Sequence, residues 1–194
     1  MKLIFVLILM FSAIAGNAQA VATLEPGSKL KWTGGPIVGQ GHEGTIDFVK
    51  GAVLLNADGS IKGGDFVVDM NTIRDEGWKE KDNDLTTHLK SEDFFAVDQY
   101  PKALFSITKV EPTKDANQWK VTGFLGLRGI TIPITFPATI THELSMLHVK
   151  AAFTFDRTKW GVNYSSKSVF SDLKDGIIAD DIAVEIDLKF WKKN

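Results

Sequence analysis

Apolar and polar residues alternate with a period of two over most of this chain, and this pattern limits the possible folds more than any other feature. Across residues 130–141 the even positions are apolar and the odd positions are threonine or proline. Successive side chains of a β-strand point to opposite faces of the sheet, so this segment is predicted to be a strand buried on one side. Pro133 and Pro137 have no N–H to donate to a neighbouring strand. We therefore expect part of this strand to lie at a sheet edge or in a bulge.

Seven further segments alternate in the same way and are predicted to be strands. Asp58-Gly59 separates two of them and has the composition of a tight hairpin turn. Residues 74–99 break the alternation, and residues 82–89 within them predict a short helix whose N-cap is Asp82 or Asn83. Strands with short local connections and one helical insertion predict a single all-β domain, and the insertion favours a closed barrel over a sandwich. The seven segments are 30–33, 45–55, 63–70, 104–110, 119–127, 147–156 and 181–190.

The first twenty residues have the organisation of a cleavable export signal. Lys2 precedes an apolar run over residues 3–15, and the small residues of Gly16-Asn17-Ala18-Gln19-Ala20 match a cleavage site. An uncleaved membrane anchor is the alternative, but a spanning helix needs about 20 apolar residues. We therefore predict a signal peptide over residues 1–20, one domain over residues 21–194, no stable membrane insertion, and a periplasmic or secreted protein.

Charge and composition remove several classes of function. The formal net charge is −2 and no basic stripe stands out, which argues against binding of nucleic acid. The chain has no cysteine, which excludes disulfides, thiol catalysis, iron–sulfur clusters and cysteine-ligated zinc. A Gly-x-Ser-x-Gly nucleophile motif is also missing from the sequence. We therefore predict a protein without enzymatic activity, cofactor or metal.

Six short motifs occur in an order and spacing that are typical of one protein family. The two most specific are His-Leu-Lys-Ser-x-Asp-Phe-Phe at residues 88–95 and Tyr-Pro-x-x-x-Phe at residues 100–105. Together the motifs resemble the YceI-like family of bacterial exported proteins over nearly all of the predicted mature chain. Trp32-Thr33-Gly34 and the glycine-rich stretch after it resemble a branch of that family. The other four motifs are at residues 42–46, 64–73, 121–131 and 155–162.

The resemblance implies a lipocalin-like fold, an eight-stranded antiparallel barrel with a helical piece near one mouth. Characterised members of the family bind long isoprenoid chains inside the barrel, and many others are known only as periplasmic or secreted proteins. The implied function is that of a carrier which sequesters a long-chain apolar lipid, an isoprenoid. Burial of apolar groups contributes about 0.8 kcal/mol per CH₂, so such a tail needs hardly any polar contact.

Eight phenylalanines and one histidine are the candidate ligand-binding residues. An eight-stranded barrel is just wide enough for a packed core or for one small ligand, so each phenylalanine either lines a cavity or belongs to a solid core. His42, next to Glu43, is the candidate contact to a polar head group. The candidates are Phe48, Phe66, Phe94, Phe95, Phe105, Phe136, Phe153, Phe155 and His42.

Two groups of polar residues leave alternatives open. His142 and His148 are six residues apart across a predicted hairpin, which is the arrangement that would best bring two histidines together for a metal. Arg157 and Lys159, which flank Trp160, either bind a phosphate or carboxylate head group at the barrel mouth or pair with Asp156 and Asp172.

Two other functions compete with lipid transport. An enzyme acting on a small lipid would need a titratable group in the interior, and Lys50 and Lys109 share the parity of inward residues unless a bulge displaces them. A partner-binding module with a solid core would use the insertion at residues 74–99, where Trp78 is a possible interface anchor. Sheet contacts between two copies are compatible with a homodimer, and no feature of the sequence decides this point.

Overall fold

Nine strands form one antiparallel sheet that closes on itself in the computed structural model, which describes residues 20–77 and 82–192. One helix, α1, follows the fourth strand, and a short 3₁₀ helix, Arg157–Trp160, follows the eighth. The elements are β1 (Ala20–Leu24), β2 (Lys29–Gly34), β3 (His42–Leu55), β4 (Ile61–Asp75), α1 (Asp82–Lys90), β5 (Lys102–Pro112), β6 (Gln118–Leu127), β7 (Ile130–His142), β8 (Met146–Asp156) and β9 (Asp181–Lys192). All eight predicted strands and the predicted helix are confirmed, and β1 is the strand that the alternation did not reveal.

The barrel has eight positions in its wall because β1 and β2 share one of them. β1 pairs with the C-terminal end of β3 and the C-terminal end of β9. β2 pairs with the opposite ends of the same two strands. The two short strands therefore fill one gap in succession, and the predicted eight-stranded antiparallel barrel is confirmed.

Two β-bulges decide where a pair of lysines point. The register of β3 against β4 shifts between Phe48 and Lys50, and that of β5 against β6 shifts between Ile107 and Lys109. A bulge adds one residue to one strand, which turns the next side chain to the other face. Lys50 and Lys109 are both exposed to solvent, so neither supplies a titratable group inside the barrel.

The apolar interior consists of two clusters, one toward each end of the barrel. The helix end is the end covered by α1 and by residues 91–100, and its cluster contains Trp32, Met70, Leu89 and Phe94. The hairpin end lies near the β3–β4 and β7–β8 turns, and its cluster contains Leu55, Ile140, Leu147 and Phe190. Phe48 and Ile134 pack against both clusters and so lie between them.

None of the helices in the described part of the chain has the length and hydropathy that a membrane crossing requires. Trp78, the candidate interface anchor, lies outside the described residues.

Candidate functional site

The interior of the barrel contains a cavity of about 310 Å³. Its lining comes from both core clusters, from Phe94 at the helix end to Phe190 at the hairpin end. An apolar cavity of roughly 150 Å³ accommodates one benzene ring, so this one holds about a dozen carbon atoms, or two to three five-carbon units. The sequence left open whether the interior is a cavity or a core filled by its own side chains. The cavity found here does not match a filled core.

The structure places every candidate ligand-binding residue on the wall of this cavity. The eight phenylalanines come from six different segments. Strands β3, β4, β5, β7 and β8 contribute inward-facing positions, and the loop after α1 contributes Phe94 and Phe95. Whether they contact a ligand remains a prediction. The residues on the wall are Phe48, Phe66, Phe94, Phe95, Phe105, Phe136, Phe153, Phe155 and His42.

Phenylalanine rings form a connected aromatic series that runs from Phe48, between the two clusters, into the hairpin end of the barrel. The Phe66 ring centroid lies 6.4 Å from that of Phe48, 6.3 Å from that of Phe105 and 5.9 Å from that of Phe190. The series continues from Phe105 to Phe136 at 5.6 Å. Edge-to-face and tilted contacts of this kind are the favoured arrangements of aromatic pairs. They hold the rings in place while leaving free space beside them.

Trp32 and Phe190 line the cavity but were not among the sequence candidates. Arg157, which the sequence offered as a head-group contact or an ion-pair partner, also lines it. The first two could have been found, because Trp32 shares its parity with Leu30 and Phe190 belongs to the inward set of β9. A charged residue such as Arg157 shows no such signal, because its burial depends on partners that lie far away in the chain.

The barrel wall has a slit between β7 and β8. The two strands pair only from Thr139 to His142, opposite Leu147 to Lys150. Beyond Thr139 the ladder stops within the described residues, although continuing the same register would place Phe136 opposite Phe153. These two rings stack at 4.2 Å between centroids with an interplanar angle of 12°. The slit is therefore bridged by side chains instead of backbone hydrogen bonds.

The prolines of β7 lie on the open edge of this slit. Ile140 donates its backbone N–H to the carbonyl of Asn117 on the β6 side, so even-numbered N–H groups of β7 face β6 and odd positions face β8. Pro133 and Pro137 are odd positions and have no N–H to leave unpaired. The prediction that the prolines mark an edge segment is confirmed, and they lower the cost of keeping this edge open.

At the helix end, His42 connects the cavity wall to the start of the insertion. Its Nδ1 lies 3.2 Å from Oδ2 of the buried Asp75. The backbone N–H of Asp75 donates to Thr86 Oγ1 of α1 at 3.2 Å. Since Leu85 and Leu89 of the same helix line the cavity, this contact holds α1 over the barrel end.

Arg157 is a buried cation beside the same end of the cavity. It is 1 % exposed, and its guanidinium donates to the carbonyls of Ala179, Val162 and Ile178 at 3.0, 2.6 and 3.2 Å. Its carboxylate partner is Asp180, at 3.6 Å. Burial lowers the pKa of Arg157, and the negative charges of Asp180 and Asp156 oppose that shift.

The pairing of Arg157 with Asp156 and Asp172, one of the two sequence alternatives, is corrected by this geometry. The Asp156 carboxylate instead caps the 3₁₀ helix by accepting from the backbone N–H of Thr158 at 2.9 Å. For Asp180, burial raises the pKa, but the hydroxyls of Ser166 and Ser168 and the Arg157 charge outweigh it, so the pKa lies below its ordinary value.

The remaining histidines do not converge on one site. His142 lies opposite Leu147, and His148 lies opposite Thr141. Adjacent positions of a ladder face opposite sides of the sheet, so the hairpin separates the two imidazoles. His148 bonds to Asp187 on the outside, while His88 packs edge-on against Phe94 and Tyr164, with ring centroids 4.9 and 4.7 Å apart. His88 therefore holds together the loops that cover the helix end.

Comparison with known proteins finds a family whose model matches most of this chain. The model of a family described as the YceI-like domain matches residues 25–190. Among curated relatives, a UPF0312 protein of Pseudomonas putida is 45 % identical over 56 residues, which is 29 % of each chain. The chain thus matches this relative over less than a third of its length.

Two solved structures share the fold. BcnA of Burkholderia cenocepacia matches with a TM-score of 0.66 and 20 % identity, over 84 % of this chain and 95 % of BcnA. A polyisoprenoid binding domain of Saccharophagus degradans, implicated in plant cell wall breakdown, matches with a TM-score of 0.64 and 12 % identity, over 89 % of this chain and 98 % of that domain. At these identities the likeness is one of fold.

Proposed function

This chain belongs to the YceI-like family, and on that premise we propose that it is an exported, non-catalytic carrier that sequesters a long-chain apolar lipid, an isoprenoid, in its barrel. The observation that carries the proposal is the hollow interior, whose lining is apolar or glycine except at Trp32, His42 and Arg157 among the described residues. The fold shared with a polyisoprenoid binding domain supports the choice of ligand. The organisation of residues 1–20 supports export.

Burial of the tail supplies the binding energy in this proposal. About a dozen carbon atoms at about 0.8 kcal/mol each contribute about 10 kcal/mol. Association costs at least about 4 kcal/mol in lost translational and rotational freedom, so several kcal/mol remain to hold the tail. No polar contact is needed for this balance.

The slit between β7 and β8 is the proposed route for the tail. Across fully paired strands such as β8 and β9 a tail would have to break ladder hydrogen bonds, whereas at the slit it has only to separate the Phe136 and Phe153 rings. Each aromatic pair contributes about 0.5–1.5 kcal/mol beyond its buried area. Separating one pair is thus a small barrier to entry.

Two measurements on the purified full-length chain test the proposal. The first is solvent extraction followed by mass spectrometry, which is expected to recover a molecule with a long apolar tail. The second is fluorescence of N-phenyl-1-naphthylamine, a neutral apolar probe, which is expected to rise on addition of protein and to fall when farnesol displaces the probe. Recovery of no such molecule, together with no probe binding, would reject the carrier function.

A further inference from the structure

Large apolar side chains are exposed on two loops at the helix end of the barrel. One loop, residues 35–41, joins β2 to β3, and the other, residues 161–180, joins the 3₁₀ helix to β9. The second loop is fixed to the helix end because Val162 belongs to the core cluster there and Ile178 packs against it. The exposed side chains are named the rim patch. The rim patch consists of Ile37, Val38, Tyr164, Val169 and Phe170, which are 59, 88, 40, 43 and 51 % exposed, respectively.

Backbone hydrogen bonds hold the segments of the rim patch side by side. The N–H of Ile37 donates to the carbonyl of Ile177 at 3.0 Å, and the N–H of Ile178 donates to the carbonyl of Ser165 at 2.9 Å. The chain at residues 177–178 therefore lies between the first loop and the start of the second. Side chains that are remote in the sequence thus share one surface. A contiguous exposed apolar patch marks a place that another apolar body covers.

The same two loops form part of the cavity wall. Pro36 of the first loop and Ile178 and Ala179 of the second line the cavity, whereas none of the five rim-patch residues does. The slit between β7 and β8 reaches this end as well, since Asp156, the last residue of β8, leads through the 3₁₀ helix into the second loop. A tail that leaves the cavity at this end would meet the rim patch at once.

The charge of the two loops fits a lipid surface. The first loop has no charged residue, and residues 159–176 contain three lysines and two aspartates, all of them exposed. Lysines close to a bilayer are attracted to anionic phospholipids. A long apolar tail is also nearly insoluble in water, because each CH₂ favours an apolar environment by about 0.8 kcal/mol. A carrier of such a tail has to collect it from a lipid assembly.

We propose that the rim patch docks on the surface of a phospholipid bilayer, so that the helix end of the cavity and the slit open against the lipid. The inference rests on the proposed carrier function for its choice of partner, and it goes beyond that function by assigning the surface that meets the partner. The docking is peripheral and reversible. Apolar side chains of peripheral proteins enter only about 5–10 Å, to the boundary between head groups and acyl chains.

The test is co-flotation of the protein with vesicles of equal parts phosphatidylcholine and phosphatidylglycerol. The protein starts at residue 20, which keeps all nine strands and removes the apolar run of residues 3–15 that could itself bind lipid. Val38→Asp combined with Phe170→Asp places two charges in the rim patch. Full burial of one such apolar side chain is worth about 10-fold or more in affinity. We therefore expect the double variant to bind vesicles at least about 10-fold more weakly than wild type.

Leu144→Asp is the matched control. Leu144 is fully exposed in the β7–β8 turn, at the opposite end of the barrel. This substitution places the same charge on an exposed apolar position, and it should leave the affinity for vesicles within about 2-fold of wild type. An equal loss of vesicle binding in Leu144→Asp and in the double variant would overturn the docking inference.

Titration with N-phenyl-1-naphthylamine in the absence of vesicles separates this inference from the carrier function. Neither Val38 nor Phe170 lines the cavity, so the double variant should bind the probe as wild type does. A wild-type protein that binds the probe but no vesicles would overturn the docking inference alone, and one that binds no probe would count against the carrier function. Dimers in sedimentation velocity that the double variant abolishes, without vesicle binding by wild type, would assign the rim patch to a second copy of the chain and also overturn the inference.

A second measurement covers the case in which the double variant does not fold. The chain has no cysteine, so Val38→Cys and Leu144→Cys can each be labelled with a single nitrobenzoxadiazole fluorophore. Vesicles should raise the emission and shift it to the blue for the label at position 38, and should leave the label at position 144 unchanged. The same response at both positions, or none at position 38, would contradict the proposal.

Discussion

Filling the cavity from its wall is expected to weaken ligand binding by about two orders of magnitude while leaving the fold intact. Val68 of β4 is buried, lines the cavity, and faces the interior between Phe48 of β3 and Ala103 of β5. Val68→Phe adds four carbon atoms to this wall. The cavity holds about a dozen, so the new ring removes about a third of the space for a tail.

The magnitude follows from the number of carbon atoms that lose their place. Four carbons at about 0.8 kcal/mol each correspond to about 3 kcal/mol, which is roughly a 100- to 200-fold rise in Kd. The same ring occupies empty apolar space in the free protein. Cavity-filling substitutions of this kind commonly add about 0.5–2 kcal/mol to the free energy of unfolding. Opposite changes in affinity and stability are therefore the signature of this variant.

The assay pairs probe titration with urea denaturation of the ligand-free protein. Val49→Phe is the matched control. Val49 also lies on a strand and is 54 % exposed, so this substitution adds the same four carbons to the outside of the barrel. Its Kd should stay within 2-fold of wild type, since a lone surface substitution changes a free energy by less than about 0.5 kcal/mol. A folded Val68→Phe protein that binds the probe and farnesol as wild type does would refute the cavity as the binding site.

Three further outcomes are expected. Arg157→Met leaves the Asp180 carboxylate without its cation and should lower the free energy of unfolding in urea by about 3–5 kcal/mol; an unchanged value would contradict the role given to this pair. The pKa of Asp180 lies below its ordinary 3.8 in the folded state, so its stabilising contribution is complete above that pH and is lost as the pH falls through the lowered value. Asp180→Asn should therefore flatten the acid side of the stability curve, and an equally steep acid loss would count against this assignment. The chain has no cysteine, so the double variant Thr135→Cys, Thr154→Cys can be cross-linked across the slit with dibromobimane, and this cross-link should slow probe entry. The control is the same cross-link between Thr122→Cys and Thr135→Cys, across the paired β6–β7 wall, which should not slow entry. Equal entry rates for the two cross-linked proteins would exclude the slit as the route.

The β-strands were predictable because every second residue of a strand with one buried face is apolar. Residues 130–141 illustrate this, since their apolar positions face the interior and their prolines mark the edge at the slit. β1 escaped because Ala20–Leu24 is short and almost uniformly apolar or small. For Lys50 and Lys109, parity and a bulge were both open from the sequence, because a bulge is set by the register of two strands and leaves no local pattern.

The candidate site was predictable in its composition and only partly in its chemistry. The six phenylalanines on strands reached the cavity wall because inward parity is a local property, whereas Phe94 and Phe95 lie in the loop after α1. The predicted pairing of Arg157 with Asp156 and Asp172 was wrong, because its actual partner, Asp180, is 23 positions away in the chain. The loop before β9 brings Asp180 to Arg157. Trp78 lies outside the described residues, so its proposed part in an interface stays a prediction.

By itself, the sequence determined an all-β domain with apolar inward faces and one helical insertion, because alternation and local turn chemistry depend only on neighbouring residues. The tertiary structure alone decided that the interior is hollow, that the wall opens between β7 and β8, and that the Trp32 indole N–H has no acceptor within residues 20–77 and 82–192. Cavities, slits and unpaired donors arise from the distances between segments that are remote in the chain. A list of side-chain types contains no information about those distances.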